Sequence, residues 1–244
     1  MMEEHDDFNR LVQDFLKDYP KFIVTSTCVV FSFFNNSIHV LLRKHDEGPE
    51  KGTWLLPFGF VMDNEDLDNA ARRILAAKTG LENVFMEQVR CFGNANRYPY
   101  SRVIAVMYYA LIDIHEYDEK LNKRNNTQWF PLAKTPKMLY DQNEMIEAAA
   151  RRMRYRTMEK PVGLEMLPPL FTMTQLRTLV EAIDGKPRDK RNFRKLVEEI
   201  HYIEKTDKID KTTSKRGAAL YRFNQELYEK YIMQLNAKID KETN

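Results

Sequence analysis

Residues 59–81 read GFVMDNEDLDNAARRILAAKTGL, and the spacing within this stretch decides the fold. Pro57 restricts and Gly59 frees the backbone that leads into it. The run that follows has helical composition and closes on Gly80. Positions 74, 77 and 78 stand at i, i+3 and i+4, so on a helix they share one face. That face carries Ile74, Ala77 and Lys78.

Gly59, Glu65, Arg73, Leu75, Gly80 and Leu81 fall on the pattern Gly, five residues, Glu, seven residues, then Arg-Glu-apolar-x-Glu-Glu-x-Gly-apolar. The segment thus resembles the Nudix box. In that family the three carboxylates after the arginine hold divalent cations against a diphosphate, and magnesium takes oxygen ligands of this kind. Here those positions are Ile74, Ala77 and Lys78. Isoleucine and alanine offer no ligand, and the Lys78 ammonium repels a cation at close range. The expectation is a loop and helix without hydrolase chemistry: no catalytic residue, no metal site and no cofactor. The opposing enzymatic reading is a hydrolase of ADP-ribose-type nucleoside diphosphates whose metal ligands come from Asp63, Glu65 or Asp66.

With 244 residues the chain is long enough for one large domain or two ordinary ones. Its start, MMEEHDDFNR, is acidic and lacks the basic opening and apolar core of a signal peptide. The longest nearly unbroken apolar run, residues 103–112, falls well short of a membrane span. Cys28 and Cys91 both lie in strand-like stretches and read as buried free thiols. A cytoplasmic protein without a membrane partner is expected.

Before the box, Phe8, Leu11, Val12, Phe15 and Leu16 recur at helical spacing, which predicts an amphipathic helix over residues 5–19. Residues 22–34 and 38–42 read as a hairpin turned at Asn35-Asn36. After the box, residues 84–92, 102–114 and 129–132 read as strands, residues 93–101 as a polar, aromatic connection, and residues 142–158 as a helix. Strands bracketing the box helix match the α/β/α sandwich that the Nudix resemblance implies, over residues 1–160. Residues 161–169, PVGLEMLPP, read as a linker.

A second domain is expected over residues 170–235. Leu176, Leu179, Val180 and Ile183 mark a helix with Thr174 as its N-cap, which Gly185-Lys186-Pro187 breaks. Asp189 caps a second helix striped by Phe193, Leu196, Val197 and Ile200. Two helices around a glycine-containing turn form a helix-turn-helix. Residues 202–205 and 218–223 pair as strands around a basic loop and add a wing.

The charge is concentrated on this part. Six of the ten residues 186–195 are basic. Lys186, Arg188, Lys190, Arg191, Asn192, Arg194 and Lys195 lie off the buried stripe, where arginine and asparagine can read base edges. Lys215, Arg216 and Arg222 lie in or beside the wing, within reach of phosphates. Double-stranded operator DNA is the expected partner.

A degenerate Nudix domain followed by the strings GKPRDKRNFRKL and RGAALYRF looks like the NrtR-type family of bacterial Nudix-related transcriptional regulators. That resemblance implies a homodimeric, repressor-like sensor in which a small effector releases DNA. Some family branches sense ADP-ribose and others sugars such as arabinose. Loss of the metal ligands, together with aromatic and hydrogen-bonding groups, favours a neutral sugar. Lys44, Asp46, Trp54, Phe58, Gly59, Asn94, Asn96, Tyr98 and Tyr100 are the candidate pocket residues. Lys78 leaves the choice between sugar and anionic phosphate open.

Overall fold

The computed structural model describes residues 11–12, 14–46, 48, 50–117, 125–159, 163–212 and 217–242. Strand β1 (Ile23–Phe34) turns back into β2 (Ser37–Lys44) through Asn35 and Asn36, whose φ angles of 48° and 55° are those of a primed hairpin turn. Two short strands, β3 (Trp54–Leu55) and β4 (Phe58–Phe60), lead to helix α1 (Leu67–Thr79). Then come β5 (Phe85–Phe92), β6 (Val103–Ile112), β7 (Thr127–Pro131) and helix α2 (Gln142–Glu159).

These strands form one seven-stranded sheet in the order β3-β2-β1-β6-β5, with β4 paired to β1 and β7 to β2. β1 and β6 run parallel from Ile23–Val103 to Ser32–Ile112. Successive strand side chains face opposite ways, and β1 is buried on both faces. Cys28 and Val30 pack with Ala71 and Leu75 of α1. Val29 and Phe31 pack with Met145, Ala149 and Met153 of α2. The expected α/β/α sandwich follows from that alternation.

Beyond α2, a 3-10 turn (Leu164–Met166) precedes β8 (Phe171–Thr172), helix α3 (Met173–Asp184), helix α4 (Lys190–Glu198), β9 (Ile203–Asp210), β10 (Ala218–Phe223) and helix α5 (Gln225–Glu242). A three-stranded sheet β8-β10-β9 supports the two helices, which makes a winged helix. The cap of α3 is Thr172, not Thr174: its hydroxyl accepts from Gln175 N, and the Gln175 side chain answers to the Thr172 backbone. The unforeseen strand β8 delivers Thr172 to that position. Phe193 and Val197 form the buried stripe of α4, whereas Leu196 is exposed and Ile200 lies past the helix end.

The segment expected to link the two parts is packed where it is described. Met166 and Leu167 are buried in a cluster that runs from Met145 and Met153 of α2 to Leu176, Ile183 and Phe193 of the winged helix. One apolar core therefore spans both units. The expected N-terminal helix lies partly outside the described residues. Residues 11–12 and 14–16 are helical there, with Leu11, Phe15 and Leu16 exposed. Cys28 is buried, and burial pushes its thiol up to about 12. Cys91 is exposed, contrary to expectation, because β5 is an edge strand with one face open.

Candidate effector site and DNA-binding face

The box keeps its scaffold through residues that now serve structure. Arg73 Nε donates to Glu65 at 2.8 Å and its terminal nitrogen to the Phe60 carbonyl at 2.9 Å. Glu65 also accepts from Met62 N at 2.8 Å. The Arg73 guanidinium and this amide hold the Glu65 carboxyl down to about 2. Asp66 caps α1 by accepting from Asn69 N at 2.8 Å. Two of the three carboxylates considered as displaced metal ligands are thus engaged elsewhere.

A Cβ on Gly59 would lie 2.9 Å from Ile74 Cγ1, so only glycine lets β4 approach the helix this closely. Ile74 itself is buried between them. Ala77 is exposed and Lys78 half-buried. Among the described residues, no three His, Cys, Asp or Glu side chains converge as a metal ligand set.

The candidate pocket residues divide into groups. Lys78 and Phe58 line a small pocket with Arg43, His45, Leu56 and Pro57. Phe58 stacks on His45 at 5.8 Å between centroids. Arg43 donates to Asp46 at 2.7 Å, which lowers the Asp46 carboxyl below its usual range. Arg43 Nε is buried without a hydrogen-bond partner. An unmet buried donor costs on the order of 1–3 kcal/mol.

A second group surrounds the N-terminal end of α2. Arg97 makes a paired ion contact with Asp141 at 2.9 and 2.8 Å, and both side chains are largely buried. Tyr98 packs edge-on against Tyr100 and Tyr140, and Tyr140 donates to Glu50 at 2.6 Å. Leu56 N donates to the Gln142 side chain at 2.8 Å, joining this cluster to the first. Tyr140 holds φ at 57°, a left-handed conformation that costs a tyrosine of order 1 kcal/mol.

The other candidates stand apart from Lys78. Lys44 pairs with Trp54 across β2 and β3, and Trp54 packs edge-on against Phe130 on the α2 face, away from Lys78. Asn94 and Asn96 hold their own loop, Asn94 accepting from Asn96 N at 2.9 Å. Arg43, His45, Glu50, Arg97, Tyr140 and Asp141 went unread in the sequence. Only Arg43 carried a signal: it stands two residues after Leu41, which faces α1.

On the winged helix, Asp189 accepts from Arg191 N and Asn192 N at 3.0 Å each and so sets the start of α4. Lys186, Lys190, Arg191, Asn192 and Lys195 are exposed there. Arg194 is exposed but paired with Glu198 at 2.9 Å. Arg188 pairs with Asp184, and its backbone N donates to Glu181 at 2.7 Å, so it fastens the turn. Arg222 pairs with Glu204 across the wing at 2.9 Å. Lys215 and Arg216 lie outside the described residues.

A sandwich built on a Nudix-type loop and helix, continuous with a winged helix bearing an exposed basic face, defines a two-part regulator. Residues 24–149 match the NUDIX domain family, and residues 163–223 match the NrtR DNA-binding winged helix domain. The chain is 32% identical over 216 residues, 87% of its length and 86% of the relative's, to the ADPR responsive transcriptional repressor NtrR of Acinetobacter baylyi. It shares 27% identity and a TM-score of 0.74 with the crystal structure of Shewanella oneidensis NrtR complexed with a 27mer DNA, covering 82% of this chain and 93% of that one. The ADP-ribose pyrophosphatase of Methanocaldococcus jannaschii is 27% identical over 109 residues, 44% of this chain and 63% of that protein. The chain belongs to the NrtR-type family of Nudix-related transcriptional regulators.

Proposed function

We propose that this chain is a cytoplasmic, homodimeric repressor whose residues 1–160 sense ADP-ribose or a close relative and whose residues 170–235 hold operator DNA. One observation carries the reading: a box that keeps Gly59, Glu65 and Arg73 but has Ile74, Ala77 and Lys78 for carboxylates is joined through one core to a basic winged helix. Its similarity along most of its length to a repressor named for ADP-ribose supports the effector. Without box carboxylates the sensing domain binds and does not hydrolyse.

Helix α2 supports a route between the two ends. Its start is tied to the Arg97 and Leu56 loops, and further along Arg154 Nε donates to the Ile183 carbonyl at 3.0 Å, at the end of α3. An effector that favours one placement of α2 thereby favours one placement of the turn into α4. Release of DNA is such a population shift.

The test is a gel-shift series with genomic fragments, with and without millimolar ADP-ribose. A sequence-specific complex that ADP-ribose dissociates is expected. Uniform weak binding, or a complex indifferent to ADP-ribose, would overturn the reading. A neutral sugar such as arabinose is the second reading, favoured by the Tyr98, Tyr100 and Tyr140 cluster beside Glu50. Release by pentose and not by ADP-ribose would establish it. Magnesium-dependent hydrolysis of ADP-ribose at about one turnover per second or faster would make the chain an enzyme.

A further inference from the structure

The Nudix resemblance implies a divalent cation bridging protein carboxylates and diphosphate, and the residues present do not fit one. Ile74 is buried against Gly59, Glu65 is bound by Arg73, and Asp66 caps α1. The last carboxylate position is an ammonium, Lys78, and a second cation, Arg43, lines the same pocket, which is closed to about 10 Å³ in the unliganded chain. The donor set has changed sign. It suits an anion directly.

Arg43 completes the argument. Strand β2 sends Leu41 into the cluster under α1 and Arg43, two residues on, to the same face. The guanidinium side chain is only 14% exposed. One of its nitrogens is satisfied by Asp46, whose side chain is 45% exposed and sits on the loop that follows β2. Its Nε is buried and has no partner. A guanidinium presents a planar fork that matches two oxygens of a phosphate. Here the fork is half used, by a carboxylate at the solvent edge.

We propose that Arg43 and Lys78 bind a phosphate group of the effector without a metal ion, and that Asp46 occupies the phosphate's place in the unliganded chain. This rests on the reading that the sensing domain takes a phosphorylated effector. The incoming phosphate exchanges one anion for another on Arg43 and gives Nε its missing acceptor. Asp46 is released from a turn that His45 N fastens to the Thr53 carbonyl at 2.8 Å and that also carries Glu50. Glu50 is the residue that holds Tyr140 at the start of α2.

Titration calorimetry on the full chain tests this, with inorganic pyrophosphate and ADP-ribose as separate probes, each in EDTA and in magnesium. Binding in EDTA is expected, and magnesium should not tighten it, since no ion bridges the contact. Lys78→Glu and Arg43→Met should each weaken binding ~100-fold, the scale of losing one partner of a buried charge pair. Asp46→Asn should tighten it, a sign that a merely structural Asp46 would not produce. Thermal unfolding identifies variants that remain folded, and Lys78→Met stands in if Lys78→Glu does not. Binding that requires magnesium, or Lys78 variants that bind both probes as wild type does, would overturn the proposal and leave the effector reading intact. Pyrophosphate binding without ADP-ribose binding would keep the phosphate site and remove ADP-ribose as effector. Failure of folded wild type to bind either probe would overturn both.

Discussion

Gly59, Glu65 and Arg73 of the box act as fasteners, and two of them carry measurable predictions. The Glu65 carboxyl is held at about 2 against an ordinary 4.5, so its stabilising contribution is present above 4.5 and is lost as pH falls through about 2. In urea titrations the midpoint of Glu65→Gln should lie below wild type at neutral pH, and the gap should close between pH 4.5 and 2. Gly59→Ala forces a methyl against Ile74 Cγ1 and should cost about 1–3 kcal/mol. The double variant Gly59→Ala, Ile74→Ala should lose less than the sum of the single losses, because the second change makes room for the first. Additive losses in denaturant unfolding would show that the two do not compete for that space. Gly59, Glu65 and Arg73 were legible from spacing alone. Arg43 was not, because its importance lies in a neighbour 35 positions away.

In the route proposed above, helices α2 and α4 take different parts. α4 depends on its cap, where Asp189 meets two backbone amides, and Asp189→Ala should cost about 1 kcal/mol of stability and weaken operator binding further by fraying the basic turn. α2 depends on both of its ends. Arg154→Met removes the bond to Ile183 while leaving Arg97, Asp141 and the cation pocket in place. Operator and ADP-ribose affinities measured separately should stay near wild type, while the factor by which each weakens the other should fall towards one. A wild-type factor in Arg154→Met would exclude this contact from the route. Asp189 could be recognised from its place before a helical stripe. The Thr172 cap could not, since β8 has two residues and exists only through its pairing with β10.

At the scale of the whole molecule, salt dependence measures how many cations meet DNA. Each neutralised phosphate adds about 0.9 to the log-log slope of affinity against salt. Lys190→Ala should reduce that slope by about 1 and weaken operators of any sequence alike. Arg194→Ala should reduce it less, since Glu198 already takes part of its charge. If both variants kept the wild-type slope, the basic face of α4 would not lie on DNA. The homodimer proposed above would present two such helices, so half-sites about 34–36 Å apart are expected in footprinting. Leu11, Phe15 and Leu16 are exposed near the chain's start.

Sequence alone determined the elements whose physics is local: the Asn35-Asn36 hairpin with its strands, the box loop without carboxylates at Ile74, Ala77 and Lys78, and the capped basic helix α4. Each rests on period, turn chemistry or charge within a few residues. Tertiary structure alone decided what depends on distant partners. It sent Trp54 to Phe130, opened Cys91 at a sheet edge, drew the supposed linker into a shared core, and set Arg43 beside Lys78. A side chain's exposure and charge partner depend on which strand packs over it. That pairing is settled by the whole apolar pattern closing at once, and the residue concerned carries at most the face of its strand, as Arg43 does.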